Sequence, residues 1–339
     1  MRIGFNPNKD KQLTSTDFFH HVVIPVYIPN HEYYFKDSFR ILKYCLQSLF
    51  KTSHNKTFFT IINNGSDKIV VDYLNTLLAD GFIHELIHTT NIGKLNAILK
   101  GITGQKFQLI TISDADVLFL NDWQNETYKI FKHLPKAGVV CPTPSSKSFN
   151  DKTFNILSEL FFSNKLKFVD VQNPNALTSF AHSIGNSKFY NEYHLQKILV
   201  VNQDDVKAVV GAGHFVATYR CDVFNEIGIT HSNYVLGGDS ENKILDTPSI
   251  KRGLWRLSTY DNYAFHLGNV EEPWMDIAYN DLKSNDDNLD IKFNFKSVKI
   301  SSLEYWLKNT IFPKLIYRKK LRRFFLRYKG LTKEQANNY

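Results

Sequence analysis

Residues 109–120 read LITISDADVLFL, an apolar run that breaks into a polar tip holding two carboxylates, Asp114 and Asp116, before apolar character resumes. A buried strand ending in Asp-x-Asp presents two hard oxygen ligands at the edge of a sheet. Such ligands suit Mg²⁺ or Mn²⁺, which prefer carboxylate oxygen and bridge to phosphate.

Upstream, the chain alternates buried runs with amphipathic ones. HHVVIPVYI (20–28), bounded by Pro25 and Pro29, is a first buried strand with its exit loop. Residues 32–51 place Phe39, Leu42, Cys45, Leu46, Leu49 and Phe50 at helical spacing, giving a helix with one core face. TFFTII (57–62) is a second strand that stops at the turn Asn63-Asn64-Gly65-Ser66. A helix over 67–78, a strand over 82–87 and a helix over 93–102 follow, and 107–112 is the fourth strand, which ends at the opening motif. A helix over 122–134 and a short strand over 138–141 come next. Strands alternating with helices at this pace predict a parallel sheet covered on both faces. Ligands of such sheets sit beyond the carboxyl ends of the strands. Those ends carry Pro25-Val26-Tyr27, Asn63 to Ser66, and Ser113 to Asp116.

After residue 151 the rhythm changes. A helix over 154–162 leads into a polar, Asn-rich stretch without a clear period. GAGHFVATY (211–219) reads as a strand after a glycine turn, and 220–227 as a short helix. GGDSEN (237–242) opens another helix, with Asp239 or Ser240 as its cap. Strands are expected over 255–260 and 263–267, the latter ending in His266-Leu267-Gly268-Asn269.

With 339 residues, 43% of them hydrophobic, the chain can build a sizeable core, and global disorder is excluded. Cys45, Cys141 and Cys221 are odd in number and lack metal-ligand spacing, which argues for a reducing compartment. The first residues show no apolar secretory segment, and no run of apolar residues is long enough to span a bilayer, so a cytoplasmic location is expected. The net charge of +8 is concentrated: residues 305–330 hold nine of the 41 basic residues and no acid, leaving 32 basic against 33 acidic residues elsewhere. Aromatic and aliphatic residues are interleaved with those charges. With Pro313 as a break, residues 314–328 read as a basic amphipathic helix suited to an anionic membrane surface, on the inner face of the cell membrane. Nucleic acid is disfavoured as a partner because no recognised binding fold accompanies the tail.

Taken in order, VVIPVY, NNGS, NIGKLNAILKG, SDADV, GAGHFVATYRCDVFNEIG, GGDSEN and HLGN resemble family-2-like glycosyltransferases of the GT-A fold, over about residues 20–270. The resemblance implies an α/β domain with a mostly parallel central sheet flanked by helices. A Rossmann-like nucleotide-sugar half would occupy 20–145 and an acceptor half 146–270. Residues 1–19 would be an extension, and 271–339 a C-terminal one ending in the basic helix. It implies an enzyme of hexosyltransferase type, working with Mn²⁺ or Mg²⁺ on a UDP- or GDP-sugar and a glycan or lipid-linked acceptor, in cell-surface glycan or lipid-linked oligosaccharide synthesis. Carried over by position, Pro25 and Tyr27 lie beside the nucleotide and Asn63 and Asn64 reach the base or ribose. Asn91 and Lys94 lie near the diphosphate. Asp116 ligates the metal, with Asp114 on ribose or on a metal-bound water and His266 as a further ligand. Asp239, with Glu241 as the alternative, matches the acidic position that takes the acceptor's proton in inverting members. This sequence departs from the family in having Asn63 where an aspartate is usual, and Gly238-Asp239-Ser240-Glu241 where Glu-Asp is common. Two other readings stay open on the residues alone. One is a nucleotidyltransferase, although the glycine-rich basic loop it needs after the first strand is replaced by Pro25-Val26-Tyr27-Ile28-Pro29. The other is a non-catalytic sugar- or nucleotide-binding scaffold of the same fold.

Overall fold

The structure, a computed structural model, describes residues 4–12, 16–226, 231–238, 241–285 and 291–339. Four strands form the first part of the chain: β1 (His20–Val26), β2 (Thr57–Asn64), β3 (Glu85–Thr89) and β4 (Leu109–Ser113). Between them run the helices α1 (Ser38–Thr52), α2 (Lys68–Ala79) and α3 (Lys94–Ile102). Register pairs β2 with β3, and β1 with both β2 and β4, all parallel. Alternation along β1 shows why both faces are covered. Val22, Ile24 and Val26 pack with Leu42, Leu46, Val70 and Leu74 of α1 and α2 on one side. Val23 packs with Leu95 and Ile98 of α3 on the other. Gly101 lets α3 lie close to the sheet, since a Cβ there would stand 2.5 Å from Ile62 Cδ1 and 2.8 Å from Val23 Cγ1.

Beyond β4 come β5 (Val117–Phe119), α4 (Trp123–His133), β6 (Ala137–Cys141), β7 (Leu166–Asp170), β8 (Lys197–Gln203), β9 (Val206–Val210), β10 (Val216–Arg220), β11 (Trp255–Thr259) and β12 (Ala264–His266). The large sheet has ten strands in the order β3-β2-β1-β4-β10-β6-β11-β9-β8-β7. Seven of the ten run in one direction, and β10, β9 and β7 run against them. The expected α/β sheet flanked by helices is therefore present, with its all-parallel part confined to the first four strands. β10 is inserted between β4 and β6, so one sheet draws its strands from both before and after residue 145. β5 and β12 form a separate two-stranded ribbon.

Three local readings change. Residues 163–205 are not irregular: they hold β7, a helix over Pro174–Ser183, a short helix over Glu192–Gln196 and β8. The short helix expected over 220–227 is a 3₁₀ helix over Cys221–Glu226, with Arg220 still in β10 and residue 227 outside the described residues. The tail breaks at Tyr317–Arg318, not at Pro313, which sits in the first turn of the helix Phe312–Ile316; a second helix spans Lys319–Tyr328. This tail is integral to the fold. Phe293, Ile316, Phe325, Leu326, Leu331 and Ala336 belong to the same buried cluster as Leu109, Phe131, Leu166 and Leu257. Lys329 is buried and donates to the carbonyls of Leu160 (3.0 Å) and Ser163 (2.9 Å), with burial lowering its pKa to about 8. Among the described residues no helix is long and apolar enough to cross a membrane.

Replacing Phe325 by Ala leaves a cavity in this shared cluster and is expected to lower the free energy of unfolding by about 3–5 kcal/mol in urea titration, with sheet and tail unfolding together. An unfolding transition of the body unaffected by Phe325→Ala would show the tail to be an appendage. Stability should also fall on acidification. Burial holds His20 well below its ordinary pKa, His21 at about 3 and His194 at about 4. The unfolded chain takes up these protons near pH 6.5 and the folded chain does not. Each histidine therefore removes about 1.4 kcal/mol per pH unit between pH 6.5 and its folded value. Denaturant midpoints measured from pH 7 to pH 4 check the slope.

Candidate active site

The carboxyl ends of β2, β1 and β4 lie side by side, so Asn64, Pro25 and Asp114 reach one edge. Long-range backbone bonds fix the Asp-x-Asp turn. The Asp114 N–H donates to the Phe215 carbonyl just before β10 (2.7 Å), and the Asp116 carbonyl accepts from the Leu267 N–H (2.8 Å). The antiparallel ribbon of β5 and β12 registers His266 on Val117, which sets the imidazole next to Asp116. Its Nε2 stands 3.5 Å from Asp116 Oδ2, and its Nδ1 is fixed by the Ser183 hydroxyl at 2.8 Å.

Lys94, the first residue of α3, places Nζ 2.6 Å from Asp114 Oδ1 and 3.3 Å from Glu241 Oε1. Burial opposes its charge, but the two carboxylates outweigh burial and hold its pKa above the ordinary lysine value. Asp116 is the opposite case. Its Oδ1 is buried and has no hydrogen-bond partner. Burial raises its pKa to about 6, against the pull of His266. A carboxylate with an unpartnered buried oxygen costs free energy unless something cationic completes it. Carboxylate oxygen beside imidazole nitrogen is a donor set that suits a hard divalent ion, so the residues fit Mn²⁺ or Mg²⁺. Among the described residues no group of three or more His, Cys, Asp or Glu could hold an ion alone. A site of this kind takes its remaining ligands from water and from phosphate oxygens.

Two cavities meet here. One, of about 390 Å³, is lined by Pro25, Tyr27, Phe35, Asn64, Asn91 and Asp116, with Leu236 closing one side. The other, of about 400 Å³, is lined by His266, Glu241, His214, Lys147, Phe180 and Phe189. Lys94 and Asp114 belong to both walls. The structure thus brings together Pro25, Tyr27, Asn64, Asn91, Lys94, Asp114, Asp116, Glu241 and His266. Asn63 is not among them. Successive residues of β2 face opposite ways, and the Asn63 amide is engaged by His88 Nδ1 (3.0 Å) and the Ser66 N–H (2.9 Å), where it holds the turn. Asn64 accepts from the Ile92 N–H (3.0 Å) and donates to Asn91 Oδ1 (3.3 Å), which shapes the approach to α3. Asp239 lies outside the described residues.

Sequence reading passed over a second layer. Asp246 and Arg256 are buried and paired, and Asp246 Oδ2 stands 3.4 Å from His214 Nε2. Arg256 also donates to the Ala212 carbonyl (2.8 Å). His214 was visible in GAGHF, but Asp246 lies 32 residues further on and Arg256, the partner of Asp246, 42, and no local pattern links them.

The family described as Glycosyl transferase family 2 matches over residues 22–198. No curated protein matches the chain. Among solved structures, a mannosyltransferase of Pyrobaculum calidifontis in complex with GDP-Man and Mn²⁺ aligns at TM-score 0.45 and 10% identity, covering 94% of this chain and 73% of that one. S. aureus TarS 1–349 aligns at TM-score 0.45 and 11% identity, covering 95% and 89%. The same protein in complex with UDP-GlcNAc aligns at 0.42 and 12%, covering 94% and 70%.

Asp116→Asn removes a partly buried charge. The folded pKa is raised, so Asp116 disfavours folding fully above about pH 6 and progressively less toward pH 4. Discounted for partial exposure, the variant is expected to gain about 1–2 kcal/mol at pH 7.5 and to melt roughly 1–3 °C higher without metal. Millimolar Mn²⁺ should raise the melting temperature of the unaltered protein and leave the variant unmoved. Equal Mn²⁺ shifts in both proteins would remove Asp116 from the ion site.

Proposed function

The chain belongs to glycosyl transferase family 2, and from that membership we propose that it moves a sugar from a nucleotide-sugar donor to an acceptor hydroxyl with help from Mn²⁺ or Mg²⁺. The observation that carries the reading is the unpartnered buried oxygen of Asp116, beside His266 and at the junction of two cavities. The cavity of Pro25, Tyr27, Phe35 and Asn64 takes the nucleotide of a UDP- or GDP-sugar. Its apolar and aromatic wall suits a base, and the amides of Asn64 and Asn91 fix the loop leading to α3. The cavity of Glu241, Phe180, Phe189 and Lys147 takes the acceptor, since aromatic rings suit the apolar faces of a glycan.

Asp116 and His266 would hold the ion, with Asp114 next to it and tethered by Lys94. A divalent ion there supplies Lewis-acid stabilisation of charge on the departing diphosphate. Lys94 adds a fixed positive charge within reach of phosphate oxygens. In the transfer, the bond from the anomeric carbon to the phosphate oxygen breaks and its electron pair leaves with the nucleoside diphosphate. The acceptor oxygen forms the new bond from the opposite face, which inverts the anomeric centre. Its proton passes to a carboxylate. By family position that carboxylate is Asp239. Glu241, which lines the acceptor cavity and is held by Lys94, is the alternative. The acceptor is a glycan or a lipid-linked glycan.

Incubation with a panel of UDP- and GDP-sugars should release nucleoside diphosphate only with Mn²⁺ or Mg²⁺, and Asp116→Ala should lower the rate at least about 100-fold. Pyrophosphate as the product would instead indicate nucleotidyl transfer. Donor binding that survives Asp116→Ala without metal or turnover would mark a non-catalytic binding module. Absence of both donor binding and nucleoside diphosphate release would overturn the proposal.

A further inference from the structure

The nine basic residues of the tail divide into two sets. Three serve the fold. Lys308 pairs with Glu159 (2.9 Å) and Glu304 (2.5 Å), Arg322 donates to Asn150 Oδ1 (2.9 Å), and Lys329 is buried on two carbonyls. The other six are Lys314, Arg318, Lys319, Lys320, Arg323 and Arg327. Among the described residues no carboxylate pairs with any of them. All are exposed except Arg323, which is partly so. The nearby acids have other partners: Glu159 and Glu304 hold lysines, and Glu334 accepts from the Tyr193 hydroxyl (2.9 Å).

The helix Lys319–Tyr328 sorts these groups by face. Leu321, Arg322, Phe325 and Leu326 turn inward, and Phe325 and Leu326 join the core. Lys320, Arg323, Phe324, Arg327 and Tyr328, at i, i+3, i+4, i+7 and i+8, form the outward stripe. Its aromatic members are not isolated. Phe324 stacks on Tyr328 with ring centroids 5.8 Å apart, and Tyr328 meets Phe162, which is 81% exposed, at 6.5 Å. The amphipathic character of this helix is therefore already satisfied by packing. What remains outside is a second, cationic and aromatic face that the fold does not use.

We propose that this outward face, Lys320, Arg323, Phe324, Arg327 and Tyr328 with Phe162, docks the protein on an anionic lipid bilayer. Unpaired cations complement anionic headgroups, and exposed aromatic rings settle at the level where headgroup meets acyl chain. A polyanion alone would explain the charges and leave the contiguous rings exposed to water. Because the apolar side of the helix is engaged in the core, docking is by face contact and not by burial of the whole helix, so it is strongly salt-dependent. The inference stands apart from the sugar-transfer reading and survives its failure.

The test is flotation of the full-length chain with vesicles of phosphatidylcholine alone and with about 30% phosphatidylglycerol, at about 0.1 M and 0.5 M NaCl. Binding is expected to the anionic vesicles only, and to drop sharply at the higher salt. The triple variant Lys320→Gln, Arg323→Gln, Arg327→Gln should lose about 100-fold in partition coefficient, about five-fold per charge. The double variant Phe324→Ser, Tyr328→Ser should bind more weakly at both salt concentrations. Both variants change groups outside the core, so circular dichroism and donor-nucleotide binding should match the unaltered protein. Equal binding to both vesicle types, no binding to either, or unreduced binding by the triple variant would overturn the proposal. So would binding of a DNA or RNA duplex by this face without vesicle binding.

Discussion

The ammonium of Lys94 is the constraint on which the rest of the site depends. It lies between Asp114, at the end of β4, and Glu241, far along the chain, at 2.6 and 3.3 Å. At reduced dielectric two carboxylates so near each other repel unless a cation separates them. Lys94 is also the first residue of α3. Its backbone N–H donates to the Val235 carbonyl (2.9 Å), and Gly93 just before it has a φ of +88° and no room for a Cβ, which would stand 2.7 Å from the Tyr234 carbonyl. One residue thereby fixes where the helix begins, where the Asp-x-Asp turn sits and how closely Tyr234, Val235 and Glu241 approach. The two cavities share a wall because they share this cation.

Asp116 plays the complementary part. Where Asp114 is neutralised by the fold itself, Asp116 is partly buried, with one oxygen buried and unpartnered and its pKa pushed up to about 6. Two carboxylates a residue apart are thus set differently by their surroundings: one is complete and the other is not. Stability alone would not retain such a group, since an amide of the same size would avoid the charge. The incomplete carboxylate is therefore the sharper sign of a ligand than the motif that contains it.

Much of the first half of the fold was legible because its information is local. β1, β2 and β4 are buried and read as apolar runs, β3 is the half-exposed strand at the sheet edge, and the helices between them carry one apolar stripe each. The candidate residues on strand ends gather at one edge for the same reason, with Asn63 outside the cavity: the turn could be read, but which of two adjacent amides turns toward the cavity depends on the phase of β2. The second half resisted because its pairing is non-local. β10 lies between β4 and β6, about a hundred residues from the former in sequence, and no periodicity marks that insertion. The hairpin of β8 and β9 turns on Asp204 and Asp205, both with positive φ (50° and 64°). That geometry usually announces itself through Asn-Gly or Asp-Gly, and two aspartates with no glycine conceal it. The tail resists reading for a related reason: an amphipathic stripe looks the same in sequence whether a bilayer or the protein's own core receives its apolar side.

Behind the site lies a buried ion pair that stability does not explain. Arg256 and Asp246 are 2% and 1% exposed, and taking two charges that far from water returns little net stabilisation even when they are paired. Their positions suggest what the pair is for. Arg256 donates to the Ala212 carbonyl, its own carbonyl accepts from the Gly211 N–H (2.9 Å), and Asp246 faces His214, so three points of the 211–214 loop are braced from beneath. Gly211 takes a φ of +105° against Ser148, where a Cβ would come within 2.5 Å, so the loop has no slack on its other side. The next residue is Phe215, whose carbonyl receives the Asp114 N–H. A continuous chain of contacts runs from the buried pair through the 211–215 loop to the Asp-x-Asp turn. The carboxylates that open the sequence reading are therefore held in place from β11, on the far side of β10 and β6.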